Sequence, residues 1–191
     1  YFLLITISKV LNMKNDILIF GGSGHIGLPL GLLFASKNKK VVLYDLNKKN
    51  INIIKNKKIP FMENNGQLFL NKYFHNITAT SDPSYIAKTK VIIICIGTLV
   101  KNSKPELKKF LKDISKIKKY INKNHTIIIR SSIYPGTCEK VKKIFKNVNN
   151  NISYCPERVV QGKTLEELPK LPQIISGINK NSINNAKKIF N

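Results

Sequence analysis

The chain of 191 residues has no tryptophan and little cysteine or arginine. Its three cysteines, Cys95, Cys138 and Cys155, form no C-x-x-C pair, which excludes a disulfide framework and a zinc-ribbon type of metal site. The longest apolar runs, at 1–7 and 91–97, are far shorter than the roughly 20 residues of a membrane-spanning helix. We therefore expect a protein of a reducing, cytoplasmic setting, with no metal site and no membrane partner.

Acidic residues are also scarce, since 10 stand against 33 basic ones and give a net charge of +23. A surplus of this size is common in nucleic-acid-binding proteins. However, only Arg130 and Arg158 carry the guanidinium that base and phosphate recognition favours, and the lysines are spread along the whole chain. We therefore predict no nucleic-acid partner. If the charge did serve nucleic-acid binding, the protein would bind DNA or RNA with a steeply salt-dependent affinity.

The rest of the sequence alternates short β-branched runs with lysine-rich amphipathic stretches. This pattern is typical of a parallel sheet covered by helices. Strands are predicted at 17–21, 41–45, 77–80, 91–97, 126–132 and 151–155. Helices are predicted at 25–37, 47–56, 105–122 and 136–147, with a short one near 84–88. We expect an α/β fold, a Rossmann-type doubly wound parallel sheet of about six strands with helices on both faces.

The domain boundaries are predicted from the start and end of this alternation. Residues 1–12 are interpreted as an upstream extension, because Met13 directly precedes the first strand; a signal peptide is the alternative, but no basic start or small-residue cleavage site supports it. One Rossmann domain is predicted over 13–179. Residues 59–76 are predicted as a loop followed by a helix, and 180–191 as the start of a helix that leads to further domains.

A glycine-rich loop follows the first predicted strand. Gly22, Gly24 and Gly27 form G-x-G-x-x-G at the start of a predicted helix. We assign the tight turn to Gly22, the close approach of backbone to a diphosphate to Gly24, and close packing of helix on sheet to Gly27. Free N–H groups and the helix dipole would then bind the diphosphate.

Asp45, at the end of the second predicted strand, completes a dinucleotide-binding pattern. Its carboxylate can accept two hydrogen bonds from the adenosine ribose hydroxyls and would repel a 2′-phosphate. The sequence therefore predicts NAD rather than NADP, although Lys48 and Lys49 offer charges that suit the latter. His25, inside the loop, is interpreted as lining the turn or the cofactor pocket.

Polar residues also follow the later strands, at the edge of the sheet where α/β proteins bind ligands. Hydroxyls of Thr98, Ser131 and Ser132 are candidates for the nicotinamide end of a dinucleotide. Glu157 and Arg158 are candidates for holding a sugar or a phosphate. By position alone, each of these residues can equally be a helix cap or part of a loop ion pair.

Four segments, in this order and spacing, resemble the N-terminal NAD-binding domain of the UDP-glucose/GDP-mannose dehydrogenase family. They are GGSGHIGLPLGLLFASKNKKVVLYDLN, VIIICIGT, IIIRSSIYPGTCE and YCPERVVQGKTLEELPKLPQIISGIN. The last segment is most similar to the branch that oxidises UDP-N-acetylmannosamine. The resemblance implies a cytoplasmic, homo-oligomeric enzyme of polysaccharide biosynthesis that oxidises the C6 alcohol of a UDP-sugar to a carboxylate, with two NAD reduced in succession.

The resemblance also implies roles for individual residues. Cofactor contacts are implied for His25, Ile26, Asp45, Thr98 and Ser132, beside the three glycines. Substrate contacts are implied for Glu157, Arg158 and Val159. The family's nucleophilic cysteine and its catalytic Lys and Asn lie beyond Asn191, so no catalytic residue is expected in this chain, and no neighbouring base activates Cys155.

The chain departs from the family pattern at four positions. His25 replaces a usual Tyr, Gly97 a Pro, Arg130 a common Glu or Lys, and Gln161 a Glu of the UDP-glucose branch. These departures leave the identity of the sugar open but not the cofactor. Two other functions share the glycine loop and Asp45: a stand-alone dinucleotide-binding module without turnover, and a different hydroxyacid or sugar-phosphate dehydrogenase.

Overall fold

The structure, a computed structural model, describes residues 15–101, 104–146, 148–149 and 151–190. The predicted upstream extension at 1–12 lies outside these residues. So do residue 147, where a helix was predicted to end, and residue 191.

The elements alternate along the chain as the sequence predicts. The strands are β1 (Asn15–Phe20), β2 (Val41–Tyr44), β3 (Ile77–Thr80), β4 (Thr89–Ile94), β5 (Leu99–Lys101), β6 (Lys104–Glu106), β7 (Thr126–Ile129), β8 (Ile152–Tyr154) and β9 (Ser176–Gly177). The α-helices are α1 (Gly27–Ser36), α2 (Lys48–Lys55), α3 (Gly66–Tyr73), α4 (Leu107–Ile117), α5 (Thr137–Phe145), α6 (Thr164–Glu167) and α7 (Lys180–Phe190). In addition, 3₁₀ helices cover Phe74–Asn76, Pro83–Lys88 and Lys118–Tyr120. Within the described ranges, no helix is long and apolar enough to cross a membrane.

The main sheet has seven strands in the order β3-β2-β1-β4-β7-β8-β9. The first six run parallel, and Ile19 of β1 lies between Leu43 of β2 and Ile93 of β4. This order is that of the Rossmann fold, which confirms the predicted fold class. The sheet has one strand more than predicted, because β9 pairs antiparallel with β8. Two residues are too few for an alternating pattern to reveal.

Both faces of the sheet are buried, which explains why the strands are continuous apolar runs. Ile17 and Ile19 point to a core that α1, α2, α3, α6 and α7 cover. Leu18 and Phe20 point to the opposite core, which α4 and α5 cover. The strands are therefore fixed from both sides, and their carboxyl ends form a rigid edge.

The helix predicted over 105–122 was placed too early and made too long. Pro105 lies in β6, which forms a small antiparallel hairpin with β5, and α4 begins at Leu107 and ends at Ile117. Proline has no N–H to donate and its fixed φ suits an edge strand as well as a first helical turn, so its presence alone did not decide between them. The tail forms α7 over Lys180–Phe190, and α3 lies within the stretch 59–76, where a loop followed by a helix is predicted.

Candidate dinucleotide-binding site

The predicted site residues all follow the carboxyl ends of neighbouring parallel strands. The glycine loop follows β1, Asp45 follows β2, Thr98 follows β4, Ser132 follows β7, and 157–159 follows β8. The strands predicted over 91–97 and 126–132 are shorter, ending at Ile94 and Ile129. The polar residues after them therefore belong to loops at one edge of the sheet.

The tight turn after β1 depends on Gly21 rather than on Gly22, which corrects the assignment made from the sequence. Gly21 has a φ of +89°, a left-handed conformation that glycine adopts at little cost. A Cβ on it would lie 2.7 Å from the carbonyl carbon of Cys95. Gly22 instead allows close approach to β2, since its Cβ would lie 2.7 Å from the Cα of Leu43.

Gly27 closes the same turn. A Cβ on Gly27 would lie 2.2 Å from the carbonyl oxygen of Gly21. The close packing of helix on sheet, which the sequence assigned to Gly27, is made one turn later by Gly31, whose Cβ would lie 2.5 Å from Cδ2 of Leu43. Gly27 therefore fixes where α1 starts relative to the end of β1.

Gly24 and the start of α1 form the part of the loop that suits a diphosphate. The nearest atom to a Cβ on Gly24 is the oxygen of Gly21 at 3.4 Å, so its outer side is open. The N–H groups of His25, Ile26 and Gly27 have no hydrogen-bond partner within the described residues. They lie at the positive end of a ten-residue helix with no acidic residue in its first turn.

The Asp45 carboxylate is held against the glycine loop. Its Oδ2 accepts hydrogen bonds from the N–H of Ser23 at 3.0 Å and from the hydroxyl of Ser23 at 2.7 Å. Its Oδ1 accepts one from the N–H of Asn47 at 2.9 Å. The loop after β1 and the end of β2, which the sequence joined only by spacing, thus form one unit.

His25 is exposed and stacks on Phe61, with the ring centroids 4.1 Å apart. Phe61 belongs to the loop between α2 and α3, in which Glu63 and Asn64 bind the region after β8. Glu63 Oε1 accepts the N–H of Leu165, and the N–H of Asn64 donates to the oxygen of Gly162, both at 2.9 Å. One loop, which the sequence did not single out, therefore contacts both the predicted cofactor loop and the region after the predicted substrate residues.

Thr98 and Ser132, both predicted to contact the nicotinamide end, lie next to each other in the loops after β4 and β7. The hydroxyl of Thr98 donates to the carbonyl oxygen of Ser132 at 2.7 Å. The hydroxyl of Ser131, by contrast, is buried and donates to the oxygen of Ile96 at 2.7 Å. Ser131 therefore fastens β7 to the loop after β4, while the exposed Ser132 remains a candidate for ligand contact.

Glu157 has partners within the chain on both carboxylate oxygens. Its Oε2 forms an ion pair with the guanidinium of Arg130, which is 1% exposed. Its Oε1 accepts the N–H groups of Arg158 at 2.7 Å and Val159 at 3.2 Å. The geometry supports a role for Glu157 in shaping the loop after β8, whereas the sequence predicted direct contact with substrate.

Arg130 connects further parts of the fold to this loop. Its guanidinium donates to Oε1 of Gln173 at 2.7 Å and lies 5.1 Å from the ring centre of Phe190 on α7. Arg158, predicted to bind substrate, is exposed and donates to the carbonyl oxygen of Pro172. A guanidinium has five N–H donors, so Arg158 keeps several for an anionic ligand.

The cysteines lie in surroundings that suppress their reactivity. Burial raises the pKa of Cys95 to about 12 and that of Cys155 to about 11. The positive charge of the nearby Arg130 opposes the rise in both cases but is the smaller influence. Burial also raises the pKa of Cys138. All three are free thiols, so none provides the activated thiolate that nucleophilic catalysis needs.

We therefore expect a disulfide reagent such as Ellman's to react slowly with the native protein at pH 8, and rapidly once urea unfolds it. The thiolate is the reactive form, and the raised pKa values keep it rare in the folded state. The same raised pKa values affect the free energy of unfolding. The buried neutral thiols stabilise the fold fully below the ordinary thiol pKa, and this stabilisation is lost as the pH rises toward the pKa values of the folded state. Equal rates in native and unfolded protein would contradict the burial.

Comparisons with known proteins place this geometry in a family. A family model described as the UDP-glucose/GDP-mannose dehydrogenase family, NAD binding domain, matches residues 15–191. A UDP-N-acetyl-D-mannosamine dehydrogenase of Methanococcus maripaludis is 35% identical in an alignment of 176 positions that covers 88% of this chain and 40% of that protein. The Campylobacter jejuni enzyme of the same name is 26% identical over 94% of this chain and 48% of its own length.

Solved structures agree. The UDP-N-acetylmannosamine dehydrogenase of Pyrococcus horikoshii superimposes with a TM-score of 0.84 and 27% identity, covering 92% of this chain and 44% of that one. GDP-mannose dehydrogenase of Pseudomonas aeruginosa, at 20% identity, shares the fold with a TM-score of 0.83. The chain thus spans less than half the length of these relatives. It belongs to the UDP-glucose/GDP-mannose dehydrogenase family, of which residues 15–191 match the NAD-binding domain.

Proposed function

We propose that this chain is the NAD-binding part of a nucleotide-sugar 6-dehydrogenase, with UDP-N-acetylmannosamine as the favoured substrate. The proposal that the chain binds NAD rests on one observation. The glycine loop and Asp45 form one unit, which offers free N–H groups and a carboxylate held in place by hydrogen bonds. The substrate half rests on the family and on relatives named as UDP-N-acetyl-D-mannosamine dehydrogenases.

The residues present fit the dinucleotide at both ends of the predicted site. The N–H groups of His25, Ile26 and Gly27 would hold its diphosphate, because they are free and lie at a helix N-terminus. Asp45 would accept a ribose hydroxyl and repel a 2′-phosphate. Bound NAD supplies an acceptor for the hydride of the substrate's C6 carbon.

The loop after β8 would hold the nucleotide sugar next to the nicotinamide end. Arg158 offers unused donors to an anionic group, and Val159 lies beside it in a backbone that Glu157 fixes. Thr98 and Ser132 would face the nicotinamide end from the neighbouring loops. In the complete reaction, the alcohol and water yield the carboxylate while two NAD are reduced and protons are released.

Replacing Asp45 with alanine is expected to weaken NADH binding by roughly 10- to 100-fold, since a hydrogen bond to a charged group is worth about 1.5–3 kcal/mol. NADPH binding should change less, because the repulsion of its 2′-phosphate is removed as well. Calorimetric titration of the wild-type chain and the variant measures both affinities. Asp113→Ala, which removes a partly buried carboxylate on α4 that pairs with the exposed Lys116 at 2.7 Å, is the control and should bind NADH normally.

A folded wild-type chain that takes up no NADH would overturn the cofactor half of the proposal. The substrate half is tested on the full-length protein by NADH formation with UDP-N-acetylmannosamine, UDP-glucose and GDP-mannose in parallel. A clear preference for either of the other two sugars would contradict the proposed substrate.

The cellular setting follows the same proposal. We propose a cytoplasmic, homo-oligomeric enzyme that supplies a uronic acid nucleotide for polysaccharide biosynthesis. The free thiols of Cys95, Cys138 and Cys155 support a reducing compartment. Light scattering on the full-length protein tests the assembly, and a monomeric mass would contradict it.

A further inference from the structure

Ser23 occupies the variable position between Gly22 and Gly24 and is almost completely buried, with 2% of its surface exposed. It gives two hydrogen bonds to one oxygen of Asp45, from its N–H at 3.0 Å and from its hydroxyl at 2.7 Å. The other oxygen accepts the N–H of Asn47 at 2.9 Å. Three donors from two different loops therefore prevent the Asp45 carboxylate from rotating.

These contacts determine how much of the carboxylate is left for a ligand. An ionised carboxylate has about four acceptor positions, and the three donors fill both positions on Oδ2 and one on Oδ1. One position on Oδ1 remains. With the donors in place, Asp45 therefore offers one directed acceptor to the adenosine ribose, whereas the sequence suggested that it accepts two hydrogen bonds.

We propose that Ser23 is a positioning residue for cofactor selection, whose hydroxyl holds Oδ2 of Asp45 so that Oδ1 meets the ribose 2′-hydroxyl. This inference rests on the proposed function, since it presupposes that Asp45 meets the ribose. A hydroxyl donated to the carboxylate also stabilises its negative charge, and that charge disfavours the 2′-phosphate of NADP. Ser23 thus acts on the cofactor through Asp45.

The direction in which NADH affinity changes on removal of the Ser23 hydroxyl distinguishes a hydroxyl that positions Asp45 from one that competes with the ribose. If the Ser23 hydroxyl orients the carboxylate, its removal leaves one donor on each oxygen, loosens the orientation of Asp45 and weakens NADH binding. If the hydroxyl instead occupied a position that the ribose needs, its removal would strengthen NADH binding. A purely structural role would weaken the binding of every dinucleotide equally.

The experiment compares Ser23→Ala with the wild-type chain by calorimetric titration of NADH, NADPH and an NADH analogue with 2′-deoxyadenosine. We expect the Kd for NADH to rise about 5-fold, the size of one net hydrogen bond, and the preference for NADH over NADPH to fall. The Kd for the 2′-deoxy analogue should stay within about 2-fold, because it lacks the hydroxyl through which Ser23 acts. Ser36→Ala, which removes a hydroxyl donated to Leu33 at 2.7 Å on α1, is the matched control.

Tighter NADH binding by Ser23→Ala would overturn the inference, and so would unchanged NADH binding or an equal loss for NADH and its 2′-deoxy analogue. Ser23→Gly serves as a second variant if the alanine substitution unfolds the protein, since it keeps the N–H donor and removes only the side chain. Absence of NADH binding by the wild-type chain would instead refute the proposed function. The two failures are thus distinguishable.

Discussion

Replacing Arg130 with methionine is expected to lower the free energy of unfolding by about 3–5 kcal/mol, the usual cost of removing one partner of a buried ion pair. The side chain of Glu157 is 9% exposed, so its carboxylate would remain buried beside an apolar group. The contacts of the guanidinium with Gln173 and Phe190 would also be lost. Urea denaturation followed by circular dichroism measures the change.

Two further variants separate the buried charge from the lost packing. The double variant Arg130→Met, Glu157→Gln should recover much of the stability, because no unpaired charge is left in the interior. Lys116→Met, which breaks the pair between the exposed Lys116 and Asp113, should cost no more than about 1 kcal/mol. Equal losses for Arg130→Met and Lys116→Met would show that the Arg130 pair is no stronger than a surface contact.

Substituting alanine for Gly27 is expected to have the second large effect, on stability and cofactor binding together. The added methyl group would lie 2.2 Å from the oxygen and 2.9 Å from the carbonyl carbon of Gly21, both backbone atoms that cannot move without the turn. Overpacking of this kind costs about 1–3 kcal/mol or more. Because α1 must shift to relieve the contact, its free N–H groups would leave their positions and NADH affinity should fall by at least about 10-fold.

Gly24→Ala distinguishes the effect on folding from the effect on binding. Among the atoms of the described residues, its methyl group would meet only the oxygen of Gly21, at 3.4 Å, so the fold should survive while the methyl group obstructs the diphosphate. Gly97→Ala, with no atom of the described residues within 4 Å of the added carbon, controls for the loss of a glycine and should change stability by less than about 0.5 kcal/mol. The prediction for Gly27 would be wrong if all three variants unfolded at the same urea concentration.

The parallel sheet was predictable because its strands are buried on both sides and separated by helices, of which α2, α4 and α5 are clearly amphipathic. A hydrophobic run such as 91–97 is by itself compatible with a buried strand or a buried helix. The glycine loop and helix that follow the first run, at 17–21, favour strands of a parallel sheet. The placement of Thr98 and Ser132 at the same edge of the sheet was also predictable, since the carboxyl ends of adjacent parallel strands meet there. These inferences require only the hydrophobic pattern along the chain and the rule that the carboxyl ends of parallel strands share one edge of the sheet.

The partners of individual side chains could not be predicted in the same way. Nothing in the sequence around Ser23 indicates that its hydroxyl reaches Asp45, and nothing around Arg130 indicates that Glu157 is its partner. Such contacts join residues from 22 to 27 positions apart through a turn geometry that only the assembled sheet fixes. The sequence assigned the tight turn to Gly22 whereas Gly21 makes it, and this error has the same origin, because a φ angle depends on the whole turn.

The short strand β9 has a consequence for how copies of this chain meet one another. A sheet edge exposes backbone donors and acceptors that can recruit a strand from another molecule and start aggregation. At the edge beside β8, the two residues Ser176 and Gly177 occupy the place of a full strand and offer little length for such recruitment. Intermolecular strand addition is therefore disfavoured at this side, and the four-residue β3 is the edge where it would begin.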